Sequence, residues 1–385
     1  MSKALDDRAI DNVILTQKTL LDDKDEEIIE GIKVIRFDCG DFIDRIDKFN
    51  QSTTADKNEL ASGLFKDNDI ENTALKLAEN LYNFIQEYQP TSIHFHNSFF
   101  ISPYALYFLK QTYKLRFTPK YYFWCHSPTR NLIIPNGEKS KLYSALVSFQ
   151  NLFSGVWAVS KIVHQQLLNV GIKNKVKYLG VDIKFFEKRE NITLDIRKNF
   201  DLTEGSFLLT YTGRFLKEKG LDLLPVIYKK LVDRDKKHLS INVLLVGEGI
   251  YKEKFEKIIK KENLDHRFHF TKAENDNELV DIYSQSNCFI LPTRREALGL
   301  SLMEAMSCSL PCIATDLEGT RELITHTKSG ILISDEKIDE YVRWISSIFE
   351  SKNLSDSLSK TARNVIEENF SFNTHLNYFT RRLLV

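Results

Sequence analysis

Short runs rich in Val, Ile, Leu, Phe and Tyr alternate along the chain with longer segments of helical spacing. Candidate strands fall at 13–17, 33–37, 92–97, 121–126, 155–160 and 176–181, and a second series at 208–214, 241–247, 267–271, 288–293, 311–315 and 330–333. Most are continuous apolar runs, the pattern of strands covered on both faces. Between them, segments such as 74–88, 221–235 and 251–262 carry the 3.6-residue period of amphipathic helices. Strand, helix and strand in repetition predict parallel sheets built from right-handed crossovers. The polar, charged stretch 184–203 separates the two series. The expected organisation is therefore two Rossmann-like α/β domains, 1–190 and 191–369, whose carboxyl-end loops face one interdomain cleft.

A chain of 385 residues is long enough for two such cores. Lys plus Arg and Asp plus Glu both number 53, so no net field draws nucleic acid or anionic lipid to the whole molecule. Any anion site must be built from local groups. The five cysteines (Cys39, Cys125, Cys288, Cys308 and Cys312) lack paired CxxC spacing, and four lie in apolar runs. Buried thiols in a reducing cytosol fit that usage better than a secreted disulfide framework. The opening MSKALDDRAIDN is polar and charged, unlike a signal peptide. No run approaches the roughly 18 apolar residues of a membrane span. These features predict a cytoplasmic protein, with peripheral contact at the inner membrane face left open.

Three stretches of the second half carry candidate chemistry. In TYTGRFLKEKGLDLL a strand runs into Gly213, Arg214, Lys219 and Gly220 before a helix. Gly213 permits close backbone approach, Arg214 can fork onto two phosphate oxygens, and Lys219 supplies a point charge, a set suited to a diphosphate. Ordinary surface cations on a solvated loop are the bland alternative. In INVLLVGEGIYKEKFEKII, Gly247 and Gly249 end a strand and open a helix, where a base or ribose can lie against bare backbone. A two-glycine turn is common, so this signal is weak alone.

The third stretch, CFILPTRREALGLSLMEAMSCSLPCIATDLEGTREL, is the most specific. A strand ends at Pro292 and Thr293, a loop carries Glu296, Leu298 and Gly299, and a helix starts at about Ser301. The free N–H groups there can bind an anion. Glu296 and Glu304 are spaced to reach two ends of one ligand, with sugar and ribose hydroxyls as donors to them. Taken singly, each glutamate reads equally well as an ordinary charge at or on a helix.

These residues resemble the retaining GT-B-fold glycosyltransferases of family 4, the glycosyl transferases group 1. Gly213-Arg214, Lys219-Gly220 and the spacing from Glu296 to Glu304, with Gly299 between and Ala305-Met306 after, match the family's pattern. In the first half, YYFWCHSP resembles the family strand that ends in an active-site histidine, here His126. The segment from VWAVSK to LGVDIKFF, with Ser160 and Gly180-Val181-Asp182, resembles the interdomain segment. The tail 370–385 resembles a helix crossing back onto the first domain.

The resemblance implies a GT-B fold and a metal-independent transferase that needs no cofactor and takes a nucleotide diphosphate sugar, UDP favoured, as donor. It places Arg214, Lys219 and the amides near Leu298, Gly299 and Leu300 on the diphosphate. It gives Glu296 the donor sugar, Glu304 the ribose, and His126 the transferred sugar or its leaving oxygen. The acceptor is expected to be a glycan, lipid-linked or protein hydroxyl, and nucleic acid is not expected as a partner.

The sequence also departs from the pattern. The family's opening strand and glycine-rich loop have no counterpart, and 13–17 and 33–37 resemble later strands of that domain. Ser309 stands where glycine is usual, and Phe270-Thr271-Lys272 lacks a glycine expected near the base. The missing loop fits a differently built acceptor side, a truncated chain or a degenerate relative; a catalytically inactive, glycosyltransferase-like partner or binding protein is the alternative function, and a nucleotide-sugar epimerase ranks behind it.

His94 and His96 alternate onto one strand face without a visible third metal ligand, so a strand end lining the cleft is the stronger reading. Lys110, Lys114, Arg116 and Lys120 mix with aromatics. That pattern suits an anionic lipid or polymer, or simply a helix surface followed by a strand.

Overall fold

The computed structural model describes residues 13–17, 26–29, 32–37, 67–96, 101–126, 146–334 and 337–372. Contacts divide the chain into two compact units, parted between Tyr178 and Leu179. Cys39, residues 2–11 and most of the expected helix 370–385 lie outside the described residues.

The first unit holds β1 (Val13–Gln17), β2 (Glu26–Ile29) and β3 (Ile32–Phe37) in a sheet of order β1-β3-β2. β1 runs parallel to β3, as expected of the crossover pattern, but β2 is antiparallel to it. The sequence reading missed β2, because Glu26-Glu27-Ile28-Ile29 gives too short a pattern in a strongly charged stretch. Helices α1 (Asp67–Tyr88) and α2 (Ile101–Thr112) flank β4 (Ser92–His96). β5 (Lys120–Cys125), β6 (Gly155–Ala158) and the short β7 (Lys175–Val176) complete a parallel sheet of order β4-β5-β6-β7, with α3 (Lys161–Leu168) after β6. Ser160 caps α3, its hydroxyl accepting from the Val163 N–H.

The second unit is a six-stranded parallel sheet of order β10-β9-β8-β11-β12-β13. Its strands are β8 (Phe207–Thr212), β9 (Ile241–Val246), β10 (Phe268–Thr271), β11 (Cys288–Leu291), β12 (Cys312–Thr315) and β13 (Ile331–Ile333). The helices in chain order are α4 (Ile196–Asn199), α5 (Leu223–Arg234), α6 (Lys252–Lys261), α7 (Asp276–Gln285), α8 (Leu300–Ser307), α9 (Glu318–Arg321), α10 (Ile338–Glu350) and α11 (Lys352–Asn369). Every residue of β8, β9, β11 and β12 is buried. That is why these strands read as mostly apolar runs, with an occasional buried Thr or Asn, rather than as regular alternation. Cys125, Cys288, Cys308 and Cys312 are free and buried, as their apolar settings implied.

Gly220 shows how tightly the loops above this sheet are set. It ends a short 3-10 turn with φ +70°, and a Cβ built there would sit 1.8 Å from the Pro292 carbonyl oxygen. Gly205 shares that left-handed backbone, φ +75°, with open space around it. Gly205→Ala should therefore cost about 1 kcal/mol, the price of φ alone. Gly220→Ala should cost several times more, because two loops must part. Urea unfolding of both variants checks this, and equal losses would show that the close approach is not a constraint.

Candidate functional site

β8, β9, β10 and β11 run parallel in register, so the residues that follow them leave one edge of the sheet together. Gly213 and Gly247 follow the paired ends Thr212 and Val246. They are in backbone contact: a Cβ on Gly247 would lie 2.1 Å from the Gly213 carbonyl oxygen. The two-glycine turn thus has a packing requirement of its own, whatever ligand lies beyond it. Arg214 is exposed on this edge, and its guanidinium has no ion pair among the described residues.

The loop after β11 is tied to the loop after β8. Arg294 forks onto Asp222 at 2.8 and 2.9 Å, and its backbone N–H donates to the Glu218 carbonyl at 2.8 Å. The paired Arg294 guanidinium helps hold the Asp222 carboxyl below its usual range, against the opposing effect of burial. Between these ties, Lys219 Nζ donates to Glu296 Oε2 at 2.9 Å, with both side chains largely buried. The expected diphosphate cation and the expected sugar carboxylate are in direct contact. Glu296 Oε1 also accepts from the Ala297 N–H at 3.1 Å, which sets the carboxylate plane.

Beyond Glu296, buried Leu298 anchors the loop and exposed Leu300 opens α8. Gly299 precedes the helix with φ +95° and offers no capping side chain. The first-turn N–H groups of α8 are thus left for another partner, and the helix dipole favours an anion there. Glu304 lies one turn further along. Its Oε2 accepts from the Tyr283 hydroxyl at 3.0 Å, and burial pushes its carboxyl up to about 7.

In the first unit, His126 follows β5, and its Nε2 lies 2.9 Å from His96 Nδ1. His94 instead accepts from the Trp124 indole N–H at 3.1 Å. The two β4 histidines are thus committed to different partners. Burial lowers His94 and His126 to about 4, so both are neutral at pH 7. Among the described residues no group of three or more His, Cys, Asp or Glu is placed to hold a metal ion.

Residues 193–365 match the family model described as glycosyl transferases group 1. The match covers just under half of the chain, the part that holds the loops after β8 and β11. An uncharacterized glycosyltransferase of Methanocaldococcus jannaschii is 29% identical over 221 residues, covering 56% of this chain and 55% of that protein. The N-acetyl-alpha-D-glucosaminyl L-malate synthase of Bacillus anthracis is 26% identical over 193 residues, covering 50% of this chain and 49% of that protein. The chain thus spans about half the length of these curated relatives.

Among solved structures, a sucrose-phosphate synthase from Thermosynechococcus elongatus superposes with TM-score 0.75 at 19% identity, covering 100% of this chain and 91% of that one. Anabaena HepE in complex with UDP-glucose superposes with TM-score 0.66 at 16% identity, covering 96% and 98%. These likenesses show that the chain has the GT-B fold.

Gly213, Arg214, Lys219, Gly247, Glu296, Leu298, Gly299, Leu300 and Glu304 all lie within the matched residues and belong to the second unit. His126 belongs to the first. Sequence reasoning missed Tyr283, which holds Glu304, and the Arg294–Asp222 pair, which joins the loops. It also missed Gly319, where a Cβ would meet the Glu296 carbonyl oxygen at 2.6 Å. Arg294 and Gly319 sat inside the stretch singled out, but nothing in the one-dimensional pattern says what either touches.

The Glu304 shift has a definite sign. Its folded value is raised, so between about pH 4.5 and pH 7 the folded chain keeps a proton that the unfolded chain has released. Its contribution to stability therefore falls as pH rises through that window. Glu304→Gln should gain on the native chain by on the order of 2 kcal/mol from pH 5 to pH 8. Urea-unfolding midpoints across that range test this, and parallel pH profiles would refute it.

Proposed function

We propose that the chain is a metal-independent, retaining glycosyltransferase that needs no cofactor and takes a nucleotide diphosphate sugar, UDP favoured, as donor. The acceptor in this reading is a glycan, lipid-linked or protein hydroxyl. The observation that carries it is the Lys219–Glu296 contact at 2.9 Å, together with Arg214, which has no ion pair among the described residues, and the uncapped start of α8. Cleaving the anomeric C–O bond leaves negative charge on the diphosphate and positive charge on the sugar. Arg214, Lys219 and the amides near Leu298, Gly299 and Leu300 are placed to stabilise the first. Glu296 suits the sugar hydroxyls and Glu304 the ribose. His126 is assigned to the transferred sugar or its leaving oxygen on the family resemblance.

UDP is favoured because structural neighbours bind it: HepE is described with UDP and UDP-glucose, and TarM of Staphylococcus aureus with UDP and alpha-GlcNAc-glycerol. Retention rests on the resemblance, with the acceptor attacking from the phosphate's own face and a leaving phosphate oxygen taking its proton. A role in polysaccharide biosynthesis is supported by the likeness to a capsular polysaccharide biosynthesis glycosyltransferase of Staphylococcus aureus.

The reading places the protein in the cytoplasm. No helix among the described residues is long and apolar enough to cross a membrane. Lys110, Lys114, Arg116 and Lys120 are exposed around the partly exposed Phe117, which supports peripheral contact with anionic lipid. Cosedimentation with phosphatidylglycerol vesicles that is lost in high salt is the expected result for that patch. No pelleting at low salt would remove the membrane from the proposal.

A thermal-shift screen of UDP, GDP and their sugars, followed by slow donor hydrolysis without an acceptor, tests the central reading. Stabilisation and hydrolysis by one nucleotide sugar are expected. Lys219→Ala and Glu296→Ala should each lower turnover at least about 100-fold while the chain stays folded. Near-native turnover in either variant would overturn the assignment, and binding without turnover of any donor would favour the inactive alternative.

A further inference from the structure

Tyr283 lies on α7 with no exposed surface, yet its hydroxyl serves three groups. It lies 2.7 Å from Thr212 Oγ1, 3.0 Å from Glu304 Oε2 and 3.4 Å from the Ser301 carbonyl oxygen. Thr212 is the last residue of β8, directly before Gly213 and Arg214. One phenol therefore joins the strand end that carries the diphosphate cations to the carboxylate assigned to the ribose.

Proton counting orients this chain. Above about pH 7, where Glu304 is ionised, its carboxylate and the Ser301 carbonyl both only accept, and the single Tyr283 proton goes to the nearer and charged acceptor, Glu304 Oε2. The Thr212 hydroxyl must then donate to the Tyr283 oxygen. Glu304 Oε1 has no partner among the described residues, and it is not among the sealed, unpaired atoms of the core. One carboxylate oxygen is used by the protein and the other is open.

We propose that Tyr283 is a positioning residue that commits one oxygen of Glu304 to the fold and presents the other, alone, to the ribose hydroxyls of the donor. This rests on the donor reading above and deepens it. A lone oxygen fixed in direction accepts a hydroxyl with little rotation left to lose, whereas a free carboxylate would pay that entropy on binding. The groups that bear on Glu304 are Tyr283 and Asp276 from α7 and Cys308 just after α8, while Thr212 of β8 reaches it only through the Tyr283 hydroxyl. Of these, the Tyr283 hydroxyl is the donor to the carboxylate.

Tyr283→Phe removes only the hydroxyl and keeps the ring. The test compares binding of UDP and 2′-deoxy-UDP calorimetrically from pH 5.5 to 8.5, together with an NMR titration of the Glu304 carboxyl in the ligand-free protein. The native chain should prefer UDP. Tyr283→Phe should bind UDP roughly tenfold or more weakly, lose most of that preference, and titrate Glu304 at higher pH. In a Glu304→Gln background the same change should add little.

A Tyr283→Phe chain with native preference and native titration overturns the inference while leaving the donor reading intact. A native chain that binds no nucleoside diphosphate overturns both. If Tyr283→Phe does not fold, Thr212→Val removes the donor to the phenol. It should move both readouts the same way by a smaller amount, and no movement would again overturn the inference.

Discussion

Lys219 and Glu296 stand 77 residues apart in the chain and 2.9 Å apart in space because β8 and β11 are neighbours in one parallel sheet. Parallel pairing sends both strand ends out of the same edge, and the Arg294–Asp222 fork prevents the two loops from sliding. Without that alignment, the lysine would be a loop cation and the glutamate a helix-start charge. With it, two opposite charges share a partly buried position. Each limits the desolvation cost of the other, although such a pair adds little net stability beyond that.

In the proposed chemistry, an incoming diphosphate would change this balance. It would compete with Glu296 for Lys219, and its own charge would repel the carboxylate. Sugar hydroxyls relieve that conflict by donating to Glu296 as the phosphate oxygens take the lysine. Arg214, which has no ion pair among the described residues, would add positive charge without first breaking one. In the proposed chemistry, a nucleoside diphosphate without its sugar satisfies the cations but leaves the carboxylate poorly placed. The complete donor satisfies both.

Much of the fold could be read from the chain because a buried parallel strand writes itself as an apolar run. β11, Cys288–Leu291, is an unbroken example, and β9, Ile241–Val246, is interrupted only by Asn242. β2 could not be read, since its Glu-Glu-Ile-Ile composition reflects an exposed pairing with β3 rather than a core position. At the site, the motif spacing gave the residue types and which loops they ride on. The partners were hidden for a physical reason. Tyr283, Asp222 and Gly319 meet the site through tertiary contact, and each sits in a segment with an ordinary local pattern. Gly247 shows the reverse case: the glycine signal was plain, but the contact it serves is the Gly213 backbone.

Glu304 argues most directly that this edge of the sheet is not simply core. A carboxyl pushed up to about 7 by burial is a cost to the folded state at neutral pH, and an apolar side chain there would avoid it. The fold offsets only part of that cost, with one phenol on one oxygen. The open oxygen still needs a donor, and a bound hydroxyl would favour the charged form and draw the group back towards its ordinary range. The same logic applies to the uncapped first turn of α8, which would gain from an anion as Glu304 gains from a hydroxyl. A sugar nucleotide carries both kinds of group on one molecule, so the two unmet demands point to the same ligand.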